Sequence, residues 1–456
     1  MKIEVYKQEF KTTFRLAWPV MVGYVGQVLV GLADNIMVGK LGPVALASIS
    51  LANSTIFFVM SFGIGFSAGI TPLVSEALGL NDRQRLHKIY WNGLLLNMIM
   101  GLVLVILIYG LIPVLKHAHQ PPEVLKTAIP YIKIVATSVL FVMIFQAMKQ
   151  FADGMGYTRI SMHAILVTNL INIPLSYVLI YGVWIFPRLE VLGAGLGTWL
   201  ARLLIIPVFW YFLVRDKRTR AYVIKRVKPL WDGELLKKIF SLGFPSGFQS
   251  VFEMGIFTAS VWLAGTLGAK AQAANQIALQ LVSLTYMVFI GLGVAATVRT
   301  GYRFGKKDFK GLRFVVKTLL VQAALTGFLL SFVFIAFRQV LPWIYLSKRH
   351  GGMDVHEVAE LAAGLLIVAG IFQISDSLQV SLQGALRGMQ DMKIPVMLVF
   401  VSYWLIGFPV AWMSVRYWGV YGIWAGLLTG LTVAAFLLFL RFNYLSKKFI
   451  RYETIA

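Results

Sequence analysis

Three carboxylates lie inside long apolar stretches of this 456-residue chain: Asp34, Glu253 and Asp376. An apolar stretch of about 20 residues can cross a bilayer as one helix. A carboxylate in mid-span is costly and rarely faces lipid, so it should point into a helix bundle or a water-filled cavity. There it can bind and release a proton or a small cation, and this exchange is the chemistry that the three residues indicate.

Glu253 and Asp376 each have polar or aromatic neighbours at helical spacing. Glu253 shares a helix face with Gln249 and Phe257, four residues before and after it. The face of Asp376 carries three amides: Gln373, Gln379 and Gln383. An anionic wall edged by an aromatic ring would bind organic cations by charge pairing and cation–π contact, and Tyr286 is a candidate second ring. The alternatives are a structural hydrogen bond between helices for the carboxylates and simple packing for Tyr286.

Asp34 lies near the outer end of the first apolar stretch, on the helix face of Gln27 and Gly31. The same half of the chain offers further polar groups: Asn169, Asn172, Ser176 and Thr198. A carboxylate with amide and hydroxyl oxygens can coordinate Na+ or exchange a proton. Na+ is therefore possible at Asp34 as well as at Glu253 and Asp376. The alternative is that Asp34 reaches the outer interface and pairs with Lys40.

The composition is that of a polytopic α-helical membrane protein, with 58% hydrophobic and 13% charged residues and a mean hydropathy of +0.76. The net charge of +23 would suit nucleic acid, but cationic residues also gather in the cytoplasmic loops of membrane proteins, so we expect no nucleic-acid partner. The absence of cysteine excludes disulfides and thiolate metal sites. No Walker A motif is present, which argues against ATP-driven transport by this chain alone.

Twelve apolar spans predict twelve transmembrane helices, because a helix satisfies its own backbone hydrogen bonds in lipid. They fall at about 14–38, 49–75, 90–112, 128–150, 160–182, 193–214, 241–264, 275–298, 314–337, 358–386, 394–414 and 420–440. Lys and Arg concentrate before the first span, in alternate loops and in the tail: 2–15, 83–88, 215–238, 306–313 and 441–451. Both termini should therefore face the cytoplasm of a multi-pass protein of the inner (plasma) membrane. Glu76, Asp153 and Asp391 lie at span ends or in cytoplasmic loops, where we expect solvation.

The two halves of the chain resemble each other at an offset of 226 residues. The offset pairs Phe14 with Phe240, Pro19 with Pro245, Leu41-Gly42 with Leu267-Gly268, and Asp82 with Asp308. Further along, an offset of 232 pairs Met155-Gly156 with Arg387-Gly388. The repeat predicts two pseudo-symmetric six-helix lobes around a central cavity: 1–214 and 239–456, joined by a cytoplasmic linker at 215–238. Glu253 meets Gln27 and Asp34 meets Ser260, so the lobes are chemically unequal.

Three sequence motifs resemble the multidrug and toxic compound extrusion (MATE) family over nearly the whole chain. They are FRLAWPVMVG…ADNIMVGKLGPVALAS at the start, its second copy FSLGFPSGFQSVFEMG…LGAKAQAANQIA, and LQGALRGMQDMKIP, which is similar to the family's LRG-G-D-x-x-P turn. Gln390 stands where that turn usually has glycine. Mid-span Glu253 and Asp376 are similar to those of the NorM-like branch.

The resemblance implies roles for individual residues. It implies cation or proton coupling at Glu253 and Asp376, and an aromatic lining at Phe257 and Tyr286. The residues that match an ion site in the amino-terminal lobe are Asp34, Asn172, Ser176 and Thr198. Ser176 departs from the pattern, because many members carry Asp or Asn there. With Gln249, Gln27 and Gln379 as further lining, these residues form the predicted coupling and substrate sites.

The resulting hypothesis is a secondary antiporter that exports amphipathic organic cations, such as drugs and dyes, in exchange for Na+ or H+ by alternating access. We expect no enzymatic activity, no cofactor beyond the coupling ion, the lipid bilayer as surroundings, and a monomer. One alternative is a lipid-linked oligosaccharide flippase, which would favour a cationic cavity, whereas the mid-span charges are taken to be all acidic. Another is an intramembrane enzyme, for which no nucleophile–base pair or metal set stands out.

Overall fold

A computed structural model of the chain describes residues 2–117, 120–183, 185–224, 231–346 and 353–455. These residues form helices joined by short turns, and they contain no strand. Eleven helices in this part of the chain are long and apolar enough to cross a membrane. The predicted all-α polytopic class is thus confirmed. Residues 225–230 of the predicted linker lie outside the described residues.

Eight helices cover the first six predicted spans. They are α1 (Lys2–Gly39), α2 (Pro43–Ser67), α3 (Ile70–Gly79), α4 (Arg83–Lys116), α5 (Pro122–Thr137), α6 (Val139–Gly154), α7 (Thr158–Tyr181) and α8 (Glu190–Arg215). Two of the spans are interrupted, one between α2 and α3 and the other at Ser138, between α5 and α6. Each interrupted pair still counts as a single candidate span, Pro43–Gly79 and Pro122–Gly154.

Eight further helices follow. They are α9 (Lys217–Ile224), α10 (Gly233–Gly265), α11 (Ala269–Gly305), α12 (Phe309–Ala336), α13 (Met353–Gly388), α14 (Lys393–Phe400), α15 (Phe408–Trp418) and α16 (Val420–Ile455). A π-helical segment, Val401–Gly407, joins α14 to α15. Helix α10 is not among the eleven apolar helices, because Gln249 and Glu253 interrupt its apolar run. It has 33 residues and is therefore about 50 Å long, enough to be the twelfth spanning helix.

The internal repeat is visible in how equivalent helices begin. Asp82 caps α4 by accepting from Arg85 N at 2.9 Å, and Asp308 caps α12 by accepting from Gly311 N at 2.8 Å. Gly42, before α2, has φ of 120°, a backbone conformation that favours glycine, and its repeat partner before α11 has φ of 99°. The repeat at the offset of 226 residues therefore extends to the geometry of the backbone.

The second predicted offset is wrong by two residues. Gly156 N bonds to Asp153 O, and Gln390 N bonds to Arg387 O in the same kind of turn. Both central residues have positive φ, 82° at Gly156 and 60° at Gln390. The turns therefore correspond at an offset of 234, which pairs Gly154 with Gly388. The offset of 232 matched one glycine of each turn but not the residue that adopts the left-handed conformation.

The chain divides into two compact units. We call Val22–Phe248 the amino-terminal unit, and Met1–Met21 together with Gln249–Ala456 the carboxy-terminal unit. The boundaries fall inside α1 and α10, so the units differ from the lobes predicted at 1–214 and 239–456. Those lobes are defined by the sequence repeat and stay a prediction.

Each unit has its own apolar core. In the amino-terminal unit, α2, α4 and α5 contribute buried residues such as Ile49, Ile108 and Ile132. In the carboxy-terminal unit, the fully buried rings of Phe372 and Trp424 join α13 and α16. The indole of Trp424 also donates to Asn275 Oδ1 on α11 at 2.9 Å. These cores hold the helices that carry the polar residues described next.

Candidate ion and substrate sites

Glu253 lies in the middle of α10, where amide groups enclose one of its oxygens. Its Oε1 accepts from Gln383 Nε2 of α13 at 2.7 Å and from Gln249 Nε2, one turn earlier on α10, at 3.2 Å. Hydrogen bonds to a charged acceptor are among the stronger ones in proteins. The carboxylate therefore joins α10 to α13 and has a fixed position inside the carboxy-terminal unit.

Asp376 supplies a second carboxylate to the same site. It is 4% exposed and lies seven residues before Gln383 on α13. Glu253 and Asp376 are close enough for their charges to repel each other. Among the described residues neither forms an ion pair with a base within 4 Å, and Arg387 attracts Glu253 only from a greater distance. A buried carboxylate beside a half-buried one is favourable only when a proton or a cation neutralises part of their charge.

The π-helical segment brings Tyr403 to this pair of carboxylates. The Tyr403 hydroxyl donates to Gln379 Oε1 at 2.6 Å, and its ring is 3% exposed. It interacts electrostatically with Glu253, Asp376 and Tyr286. Segments of π-helix are often found at functional sites. Tyr403 was not predicted from the sequence, because a π-helical segment has no signature in the hydrophobic pattern.

Aromatic side chains continue the site along α10. Phe257, one turn after Glu253, is partly buried and packs edge-on against Phe372, with ring centroids 6.3 Å apart. Phe372 in turn contacts Trp424 at 5.9 Å. The predicted lining residue Tyr286 is also partly buried. The structure therefore brings together six predicted residues within the carboxy-terminal unit: Glu253, Asp376, Gln249, Gln379, Phe257 and Tyr286.

The amino-terminal unit contains a second polar cluster around Asp34. Four enclosed polar atoms of α1 and α7 have no hydrogen-bond partner among the described residues: Asp34 Oδ1, Asn169 Nδ2, Asn172 Oδ1 and Ser176 Oγ. The Asn169 amide lies beside Gly26, about two turns before Asp34 on α1. The Ser176 hydroxyl is near the Asp34 carboxylate without reaching hydrogen-bonding geometry. Three of these atoms are oxygens, which is the type of ligand that a small hard cation requires.

The backbone of α8 closely approaches α7 at this cluster. Asn172 Nδ2 donates to Gly197 O at 3.4 Å, and a Cβ on Gly197 would lie only 2.6 Å from Ser176 Oγ. Glycine at this position therefore allows the two helices to pack closely. Thr198, the next residue, is partly buried beside Tyr131 of α5.

A half-buried base that was not predicted from the sequence, Arg202, also belongs to the Asp34 cluster. Arg202 lies one turn after Thr198 on α8, and its Nη1 donates to Ser138 Oγ at 3.0 Å. Its guanidinium and the Asp34 carboxylate attract each other at a distance beyond direct ion pairing. The interpretation that all mid-span charges are acidic is therefore wrong. The signal was present, because Arg202 lies within the predicted span 193–214.

Comparison with known proteins identifies the family. The MatE family model matches residues 19–178 and 245–413. A probable multidrug resistance protein NorM of Rhizobium meliloti is 32% identical over 447 residues, which are 96% of this chain and 94% of the relative. The chain belongs to the MatE family. The multidrug resistance protein NorM of Vibrio cholerae is 28% identical over 453 residues, with 97% of each chain covered. The predicted resemblance of this MatE protein to the NorM-like branch is therefore confirmed.

Solved structures of MATE transporters have the same fold as this MatE protein. A eukaryotic MATE transporter superposes with a TM-score of 0.87 at 20% identity, covering 97% of this chain and 98% of the other. An outward-facing multidrug resistance MATE transporter gives the same TM-score and identity, with 97% of both chains covered. The twelve-helix fold class is therefore confirmed. MatE proteins are transporters, and the prediction that the chain is not an enzyme is confirmed by this membership.

The MatE chain also contains a buried ion pair within α6. Lys149 Nζ contacts Asp153 Oδ2 at 2.9 Å, and their side chains are 4% and 1% exposed. Asp153 Oδ1 accepts from Ser161 at 2.7 Å, and the ammonium lies 5.2 Å from the centre of the Tyr24 ring. The prediction that solvation explains Asp153 is therefore wrong, because α6 and α7 enclose the carboxylate. The other two carboxylates assigned to solvation are also ion-paired at 2.8 Å: Glu76 to Arg85, and Asp391 to Arg441.

Two remaining expectations for this MatE protein concern α1. Gln27 is exposed and makes no hydrogen bond with the described residues, and its role in lining a substrate cavity stays a prediction. Asp34 forms no ion pair with Lys40 in the described chain, which removes the alternative of a surface pair. The described residues also contain no group of three or more His, Cys, Asp or Glu that could hold a metal ion.

Proposed function

We propose that this MatE protein is a secondary multidrug efflux transporter that exports amphipathic organic cations in antiport with Na+ or H+. The observation that carries the proposal is the Glu253–Asp376 pair. Asp376 is buried, half-buried Glu253 is held by two glutamine amides, and neither carboxylate is ion-paired with a described base within 4 Å. The names of the NorM relatives support drugs as substrates.

The geometry supports an exchange reaction at this pair. An organic cation would bind against Glu253 and Asp376, with the Phe257 ring contributing a cation–π contact. Arrival of Na+ or H+ would neutralise the same carboxylates, so drug and coupling ion compete for one negative charge. A membrane potential of 100 mV supplies about 2.3 kcal/mol per charge, enough for tens-fold accumulation per coupled charge.

The charge pattern of the loops supports a proposal for how the chain lies in the membrane. We assign the chain to the inner (plasma) membrane as a multi-pass monomer with both termini in the cytoplasm. The support is the concentration of Lys and Arg before the first span, in alternate loops and in the tail.

The flippase alternative is not supported by Lys149 and Arg202, the bases described above in the amino-terminal unit. Such a protein would need free positive charge to hold a pyrophosphate. Lys149 is ion-paired with Asp153, and Arg202 is attracted to Asp34, so each base has an acidic partner.

A vesicle assay with Glu253→Gln tests the proposed function. We expect this variant to be produced at normal levels but to lose ethidium efflux driven by a Na+ jump or by a pH jump. Glu234→Gln is the matched control, because it is the same substitution at an exposed residue of the same helix, and it should retain efflux. Unchanged efflux by Glu253→Gln would remove Glu253 from the mechanism. The two jumps applied to the unmodified protein identify the coupling ion.

A further inference from the structure

The cluster around Asp34 differs from the Glu253–Asp376 pair because it contains its own cation. Asp34 is its carboxylate, and the guanidinium of Arg202 is within electrostatic range of that carboxylate. The other oxygens of the cluster, Asn172 Oδ1 and Ser176 Oγ, are uncharged. With both groups ionised, these residues contribute no net charge.

The guanidinium of Arg202 has a fixed position. Its Nη1 donates to Ser138 Oγ at 3.0 Å, and Ser138 is fully buried at the break between α5 and α6. The Ser138 hydroxyl in turn donates to Val135 O at 2.6 Å, so its lone pairs are directed to the arginine. Arg202 is also electrostatically coupled to Tyr131, whose hydroxyl donates to Asn53 Oδ1 at 3.1 Å. A base that is hydrogen-bonded in this way remains beside the carboxylate.

A fixed guanidinium opposes the binding of a second cation. Two unit charges a few ångströms apart in a partly buried site repel strongly enough to weaken binding about tenfold or more. The orphaned oxygens would otherwise suit Na+, since carboxylate, amide and hydroxyl oxygens are its usual ligands. The serine at position 176 adds no negative charge to offset the arginine.

We propose that Arg202 supplies the positive charge that balances Asp34, and that the amino-terminal cluster of this protein therefore excludes Na+. If the proposed antiport uses Na+, its coupling is then confined to Glu253 and Asp376. This assignment refines the proposed function, but Na+ binding itself requires no transport. A failure of drug efflux in vesicles and a failure of the Arg202 assignment are thus separate results.

The test is equilibrium dialysis of 22Na+ against the purified full-length chain in detergent, at constant ionic strength set with choline. The background is Glu253→Gln/Asp376→Asn, which removes the carboxylates of the other site. With Arg202 intact we expect no saturable Na+ binding. Arg202→Met should create a saturable Na+ site, with an affinity at least about tenfold higher than that of the background protein. Adding Asp34→Asn should abolish this site. Arg202→Lys, which keeps the charge, should exclude Na+ as the native arginine does.

Two outcomes would overturn the assignment. One is Na+ binding by the background protein that disappears on Asp34→Asn while Arg202 is present. The other is a folded Arg202→Met variant, eluting as a single species, that still binds no Na+. If Arg202→Met does not fold, the comparison of the background with and without Asp34→Asn still decides the question.

Discussion

The buried ion pair of α6 makes a strong prediction about stability. Lys149 and Asp153 are 4% and 1% exposed and 2.9 Å apart. Lys149→Met leaves the carboxylate enclosed, with the Ser161 hydroxyl as its one remaining donor among the described residues. Removing one partner of a buried pair costs about 3–5 kcal/mol, because the remaining charge is neither solvated nor compensated. We expect Lys149→Met to lower the free energy of unfolding by about that amount.

A double-mutant cycle isolates the pair. Asp153→Asn keeps a hydrogen-bond acceptor for Ser161 but leaves the Lys149 ammonium without its counter-charge, so it should also be strongly destabilising. Lys149→Met/Asp153→Asn buries no charge and should lose less stability than the two single variants together. The free energies come from SDS-induced unfolding of the detergent-solubilised protein, followed by circular dichroism.

An exposed ion pair of the same chain provides the control. Lys270 contacts Asp354 and Glu357, each at 2.6 Å, but the three side chains are 50%, 81% and 52% exposed. Exposed pairs contribute little, so Lys270→Met should leave unfolding essentially unchanged. If Lys270→Met and Lys149→Met were equally destabilising, or if the losses in the α6 cycle were additive, burial would not be the cause and the reasoning would be refuted.

Two smaller effects follow from local geometry. Gln390 has φ of 60°, a left-handed conformation that costs a residue with a Cβ about 1–2 kcal/mol. Gln390→Gly should therefore raise the thermal unfolding midpoint. A lower midpoint would show that the Gln390 amide makes a stabilising contact. The pKa of Asp232 lies below 3.8, because Lys88 donates to its carboxylate at 3.0 Å and Leu235 N donates at 3.2 Å. A lowered pKa adds stability that is present above the unfolded pKa and is lost as pH falls through the folded value. Asp232→Asn should therefore be less stable than the native chain at neutral pH, and the difference should shrink at acidic pH. A difference that is the same at both pH values would contradict this cause.

The carboxylates of the candidate sites were readable from the sequence because a charge inside an apolar run is conspicuous. Asp34, Glu253 and Asp376 were found in this way, and the spacing of Gln249 from Glu253 predicted the contact between them. The bond from Gln383 to Glu253 was not predictable, because it depends on how α10 and α13 pack. Local patterns determine which residues share a helix face, but tertiary packing decides which faces meet.

The missed residues have different causes. Tyr403 reaches the site through a π-helical segment, which no hydrophobic period announces. Lys149 and Asp153 are four residues apart, a spacing that indicates a pair on one helix face. They were missed because the predicted span ended at residue 150, which placed the carboxylate in solvent. Arg202 was inside a predicted span, but it was overlooked when the mid-span charges were counted.

The repeat of this chain preserves the backbone but not the charges. The capping aspartates Asp82 and Asp308 recur at one offset, together with glycines that have positive φ before equivalent helices. At the same offset Glu253 corresponds to Gln27, and Asp34 corresponds to Ser260. Helix caps and turns are required wherever the same fold is built, whereas an ion site needs only one copy of its carboxylate. Our proposal that Arg202 balances Asp34 assigns cation exchange to the second half of the chain, where neither Glu253 nor Asp376 is ion-paired with a described base within 4 Å.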